Sequence, residues 1–167
     1  MFEAVKYVVR GIIKSTAPKP IKVKSELVQG LRGLFVDELK NIYWVEKTLT
    51  NALPNMIKSV KSEVLIKSLE DHLEVTKSQV SRIEKEFDAI GEKAEAKKCE
   101  VMERLFQDTA DIIESTDAGV IRDAFIKSTT PKVKNFAIAT YGTLCSFAKD
   151  LGEAKAVPLL ALTLNEV

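Results

Sequence analysis

The sequence predicts an all-α protein, an antiparallel bundle of four main helices with one additional short helix. Three observations carry that expectation. Apolar residues recur at spacings of three and four over long stretches, only 7 Gly and 5 Pro punctuate 167 residues, and no β-alternation of useful length occurs. Hydrophobic residues make up 46% and charged residues 29%, which supplies apolar side chain for one core in a chain of single-domain length.

The first helix is expected from Ser25, read as its N-cap, with the stripe Leu27, Leu31, Phe35, Leu39, Ile42, Leu49 and Leu53. Pro54 should end or kink it. The second begins near Ser62 and carries Leu65, Leu69, Leu73, Thr76, Val80, Ile83, Phe87 and Ile90, with Gly91 as its stop. A short helix near residues 98–115 follows, with Met102, Leu105, Phe106, Thr109, Ile112 and Ile113 on one side. A third long helix is expected from a cap at Asp117 through Ile121, Phe125, Val133, Phe136, Thr140, Leu144, Phe147 and Leu151 to Gly152. Pro131 lies inside it and should kink it. The last helix carries Val157, Leu160, Leu164 and Val167. Short connections make antiparallel packing the economical solution.

Charge divides the chain. Residues 1–24 hold six basic residues and one acid, a net of +5, and residues 25–167 carry a net of −4. In the leader, Phe2, Val5, Val9 and Ile12 share one helical side and Lys6, Arg10 and Lys14 another, until Ala17-Pro18-Lys19-Pro20 reads as a linker. That pattern suits either a membrane-surface or partner contact, or an arm packed on the protein itself. The chain's net charge of +1 excludes a strongly basic nucleic-acid binder. Cys99 and Cys145 show no CxxC spacing, so a reducing cytoplasm is expected, without a disulfide framework or cysteine zinc site.

No phosphate loop or dinucleotide fingerprint occurs, and the single histidine, His72, has no nucleophile elbow beside it. No catalytic residues are therefore assigned. The informative anomaly is Glu46, a carboxylate on the stripe between Ile42 and Leu49, because such a group costs free energy unless it is paired, protonated or metal-bound. The second helix adds Glu70, Asp71, His72, Glu74 and Gln79. Helix bundles that hold two irons use inward Glu residues and Glu-x-x-His pairs. Against that, Glu46 could pair with a lysine at the bundle edge, Glu70, Asp71 and Glu74 could form a solvated face, and His72 could be a hydrogen-bonded boundary residue.

Several strings point to a family. Leu31-Arg32-Gly33-Leu34-Phe35-Val36-Asp37-Glu38-Leu39, Val45-Glu46-Lys47-Thr48-Leu49 and His72-Leu73-Glu74-Val75-Thr76 resemble the YciF/YciE family of bacterial ferritin-like proteins. So do Lys98-Cys99-Glu100-Val101-Met102-Glu103, Ile112-Ile113-Glu114-Ser115-Thr116, Val120-Ile121-Arg122-Asp123-Ala124 and Ala139-Thr140-Tyr141-Gly142-Thr143-Leu144. The resemblance runs over about residues 28–166 in a single register. It implies a ferritin-like antiparallel bundle with a short extra helix, a homodimer, and an association with bacterial stress responses.

This chain also departs from the pattern. Members typically read Lys-Val-Glu-His-Tyr-Glu where this chain has Lys132-Val133-Lys134-Asn135-Phe136-Ala137. The final acidic run is reduced to Asn165-Glu166-Val167, where members continue for several turns, so a fragment or a short fourth wall is expected. Two Glu-x-x-His motifs need two histidines, and Leu69 stands three residues before the only one. A full dinuclear site is not expected, nor is any cofactor. Lys134 is expected either to pair with Glu46 or Glu74 inside the bundle or to extend to solvent. The sequence thus points to a non-enzymatic bundle protein acting through assembly or partner contacts. The alternative is a di-iron or di-manganese carboxylate protein whose ligands would come from Glu46, Glu70, His72, Glu74 and Glu166.

Overall fold

The computed structural model describes residues 22–167, with side chains from Leu27 onward. The basic leader therefore lies outside the described residues, apart from its last three positions. Five helices follow in order: α1 (Lys22–Ser59), α2 (Glu63–Ile90), α3 (Glu100–Ser115), α4 (Val120–Leu151) and α5 (Ala156–Glu166). No strand occurs among the described residues. The chain divides at Gly30, and the bundle is Leu31–Val167.

Contacts between the helices fix their directions. Tyr43 on α1 donates to Glu84 on α2 and packs edge-on against Phe87, so these two helices run antiparallel around the turn at residues 60–62. Tyr141 reaches Glu46, and Arg122 reaches the Ser59 carbonyl, which makes α1 and α4 antiparallel too. Arg82 on α2 meets Thr163 and Glu166 at the end of α5. Trp44 and Phe106, 6.2 Å between ring centroids, seat α3 against α1. The all-α antiparallel bundle with a short additional helix is the architecture expected from the apolar spacing.

The stops at Gly91 and Gly152 hold. Both residues take a left-handed conformation, φ 71° and 74°. Each closes the same motif: Glu92 N–H donates to the Phe87 carbonyl and Glu153 N–H to the Ala148 carbonyl. Ser62 caps α2, its side chain accepting from the Leu65 N–H.

Several local expectations need correction. Helix α1 begins at Lys22, so Ser25 lies inside its first turn. Nothing between Pro20 and Ser25 opposes helix, and serine inside a helix costs only a few tenths of a kcal/mol. Pro54 does not end α1, which continues to Ser59. Asp117 is not a cap either. The chain turns over Ala118 and Gly119 first, and Gly119 is the N-cap residue of α4. Ile121 is exposed, as is Leu27. The core-facing line of α4 is instead Ile126, Thr129, Val133, Ala137, Tyr141, Leu144 and Ala148. The expected line shares Val133, Thr140 and Leu144 with the buried set, but its phenylalanines are only half-buried on a neighbouring line.

Candidate functional site

The described interior is mostly apolar, but besides scattered threonines it holds two carboxyl groups. Glu46 and Glu86 are 1% and 0% exposed, and Tyr141, Gln79 and Thr76 are sealed with them. On α2 the positions Thr76, Gln79, Ile83, Glu86 and Ile90 step by three and four, so one line of the helix carries three polar side chains inward. Glu46 arrives from α1 on the stripe that predicted it. Tyr141 arrives from α4 and donates its hydroxyl to Glu46 Oε1 at 3.2 Å.

Few of these groups are satisfied. Glu46 Oε2, both Glu86 carboxyl oxygens, Gln79 Nε2 and Thr76 Oγ1 are buried without a hydrogen-bond partner. Burial pushes the Glu46 carboxyl up to about 7, with the Tyr141 hydroxyl pulling the other way. Burial pushes Glu86 further, to about 8, against the nearby Arg82 guanidinium. Burial, followed by the charges of Glu46 and Glu86, raises the Tyr141 phenol well above its ordinary value. Desolvation is the main cause for both carboxyls.

The remaining sequence candidates are placed elsewhere. Glu70 and Glu74 stand exposed on the outer face of α2, Glu74 in a 2.7 Å ion pair with Lys77. Both oxygens of Glu166 are held by Arg82, at 2.8 and 2.9 Å. His72 lies at the edge of a groove between α2 and α4, its Nδ1 buried and unpartnered, and burial followed by the Lys134 charge lowers its pKa. Lys134 is half-buried and pairs with neither Glu46 nor Glu74, so the interior ion pair that the sequence allowed does not form. Tyr141 occupies the inner position beside Glu46 instead.

Of the proposed ligand set, then, Glu46 is fully buried and His72 is partly buried against Leu49, Leu53 and Leu69, whereas Glu70, Glu74 and Glu166 are exposed. The second interior acid, Glu86, was missed although Ile83 and Ile90 flank it at spacings of three and four. Phe87 beside it took the place on the stripe. Tyr141 was missed for the same reason on α4.

These placements can now be set against known proteins. Residues 30–167 match the family described as a domain of unknown function, DUF892. The chain belongs to that family. Protein YciF of Escherichia coli (strain K12) is 36% identical over 137 residues, covering 81% of this chain and 82% of that protein. The crystal structure of the E. coli stress protein YciF superposes with a TM-score of 0.76, covering 81% of this chain and 86% of that one. The structure of YcfI from Rhodopseudomonas palustris superposes at 0.77 with 31% identity, covering 81% of this chain and 87% of that one.

A dinuclear metal centre, which bundles of the ferritin-like class build from inward carboxylates and two histidines, does not fit these residues. Ala137 offers no ligand atom on α4, and the chain's single histidine, His72, cannot supply two Glu-x-x-His pairs. Among the described residues no three His, Cys, Asp or Glu side chains come together as metal ligands would.

Proposed function

We propose that this DUF892 protein is a non-enzymatic, stress-response-associated bundle protein of the cytoplasm, acting through assembly as a homodimer or through partner contacts. The observation that carries the reading is the state of its interior polar groups. Two carboxyls sealed from solvent offer no open path for a substrate. Surface features support the assembly part. Val64, Val120 and Ile121 stand exposed at the end of the bundle where the Asp123 carboxylate accepts from the Lys61 and Ser62 backbone N–H groups. Apolar side chains grouped in this way are a usual feature of protein contacts. The stress association rests on the likeness to E. coli YciF. A cytoplasmic setting is supported by the free thiols of Cys99 and Cys145. No described helix is long and apolar enough to cross a membrane.

Anaerobic addition of ferrous iron followed by air tests the reading against the di-iron alternative. The expected outcome is oxidation at the rate of buffer alone. Rapid oxidation that saturates at a fixed iron-to-chain ratio would establish the alternative. Sedimentation of the full chain should give a dimer, and a monomer at all concentrations would remove the assembly part.

A further inference from the structure

The segment between α2 and α3 is held by charge, where the helices on either side of it are held by burial. Residues 92–98 read Glu-Lys-Ala-Glu-Ala-Lys-Lys. The apolar side chains among them are those of Ala94 and Ala96, and both are exposed. The two ends are fixed. At one, the Glu92 N–H closes the cap of α2 on the Phe87 carbonyl. At the other, α3 seals Met102 and Thr109 inside, and Cys99 packs against the core.

Between these anchors the segment lies along α1. Arg32 holds Glu92 at 3.1 Å, Lys40 holds Glu95 at 2.5 Å, and Lys97 meets Asp37. Acid, acid and base on the segment thus face base, base and acid on α1, over about 12 Å of helix. One backbone bond joins the two, from the Lys97 N–H to the Lys40 carbonyl at 3.1 Å. Among the described residues it is the one backbone bond that the N–H groups of residues 93–98 donate. Exposed pairs of this kind are individually weak, and salt screens them. The screening distance falls from roughly 10 Å at 0.1 M salt to roughly 3 Å at 1 M. Apolar burial, which holds α2 and α3, is not screened in this way.

We propose that residues 92–98 form a strap that ionic strength releases: as salt rises the strap lifts from α1 while α2 and α3 keep their places. Lifting it frees the Asp37 carboxylate and the Lys40 ammonium to meet another charged surface. The strap works within a single chain and does not rest on the assembly proposed above.

Hydrogen exchange of the full chain, resolved by NMR, reads the strap directly, because the Lys97 amide is bonded when the strap lies on α1. Between about 0.02 M and about 0.5 M sodium chloride at fixed pH, Lys97 exchange should accelerate about tenfold relative to the Glu95 and Ala96 amides, the scale of a few exposed pairs lost to screening. The amides of Ile83 on α2 and Phe106 on α3 should keep their protection. Asp37→Asn combined with Glu95→Gln, with an unchanged circular dichroism spectrum, should show at low salt the fast Lys97 exchange that the wild type reaches at high salt. The proposal is overturned by Lys97 protection that does not respond to salt, by an equal acceleration at Ile83 and Phe106, or by a double variant that still responds to salt as the wild type does.

Discussion

The core carries one carboxyl on its α1 wall and another on its α2 wall, and the bundle treats them differently. Glu46 has a neighbour on α4, the Tyr141 hydroxyl at 3.2 Å, and one bare oxygen. Glu86, four residues beyond Arg82, has two bare oxygens and only a more distant guanidinium to favour its charge. Burial pushes both up, to about 7 and about 8, and the two differ in what each finds to bond. A carboxyl that stays protonated can remain inside an apolar bundle; one forced to ionise there cannot without cost.

The largest effect that follows is a dependence on pH. Both carboxyls have folded pKa values above their unfolded one, so the folded state holds protons that the unfolded state has released. Their contribution to stability is fully present below about pH 4.5 and is lost as pH rises through about 7 and 8. Each group contributes a slope of about 1.4 kcal/mol per pH unit within its window. Glu86→Leu keeps the volume and removes the acid. Its stability relative to wild type should increase by about 3–5 kcal/mol between pH 4 and pH 9. Denaturant melts of both proteins at several pH values measure this. Parallel curves would mean that Glu86 reaches water in solution.

A smaller effect separates the two acids. Tyr141→Phe leaves Glu46 with neither oxygen bonded and should destabilise the bundle by about 1–3 kcal/mol at neutral pH. The same substitution made in Glu46→Leu should cost little, because the acceptor is already gone. A coupling energy near zero in that double-mutant cycle would place the hydroxyl elsewhere.

The two acids also differ in how readable they were. Glu46 was visible because the line Leu39, Ile42, Leu49 and Leu53 steps through it, although Val45 beside it is buried as well. Glu86 is on an equally regular line, but Phe87 beside it satisfied the period and hid it. The same masking operated on α4, where Phe136 and Phe147 drew the stripe away from Ala137, Tyr141 and Ala148. Helical period locates a face to within one residue. It cannot choose between adjacent lines when a large side chain stands on one and the buried contact is made by the other. Element order and the stops at Gly91 and Gly152 were legible because a left-handed glycine cap is a local property. The surroundings of Lys134 and His72 were not, since they depend on how α2 and α4 pack against each other.

The smallest effect concerns the cation that stands near Glu86. Arg82 is mostly buried and gives one guanidinium to both oxygens of Glu166 and to Thr163 Oγ1, which is itself sealed inside. It therefore ties α5 to α2 and also lowers the Glu86 pKa through its charge. Arg82→Leu should loosen the end of α5 and cost about 1–2 kcal/mol, the range of a partly exposed bidentate pair with one further hydrogen bond. Amide hydrogen exchange should speed up in residues 160–166 while α1 keeps its protection. The variant should also carry the loss of stability attributed to Glu86 to higher pH, since the charge that favoured ionisation is gone. A Glu166→Gln variant separates the two roles, because it releases the same end of α5 but leaves the guanidinium in place. If both variants move the pH window alike, Arg82 acts on Glu86 only by holding α5 closed over it, and its charge has no direct part.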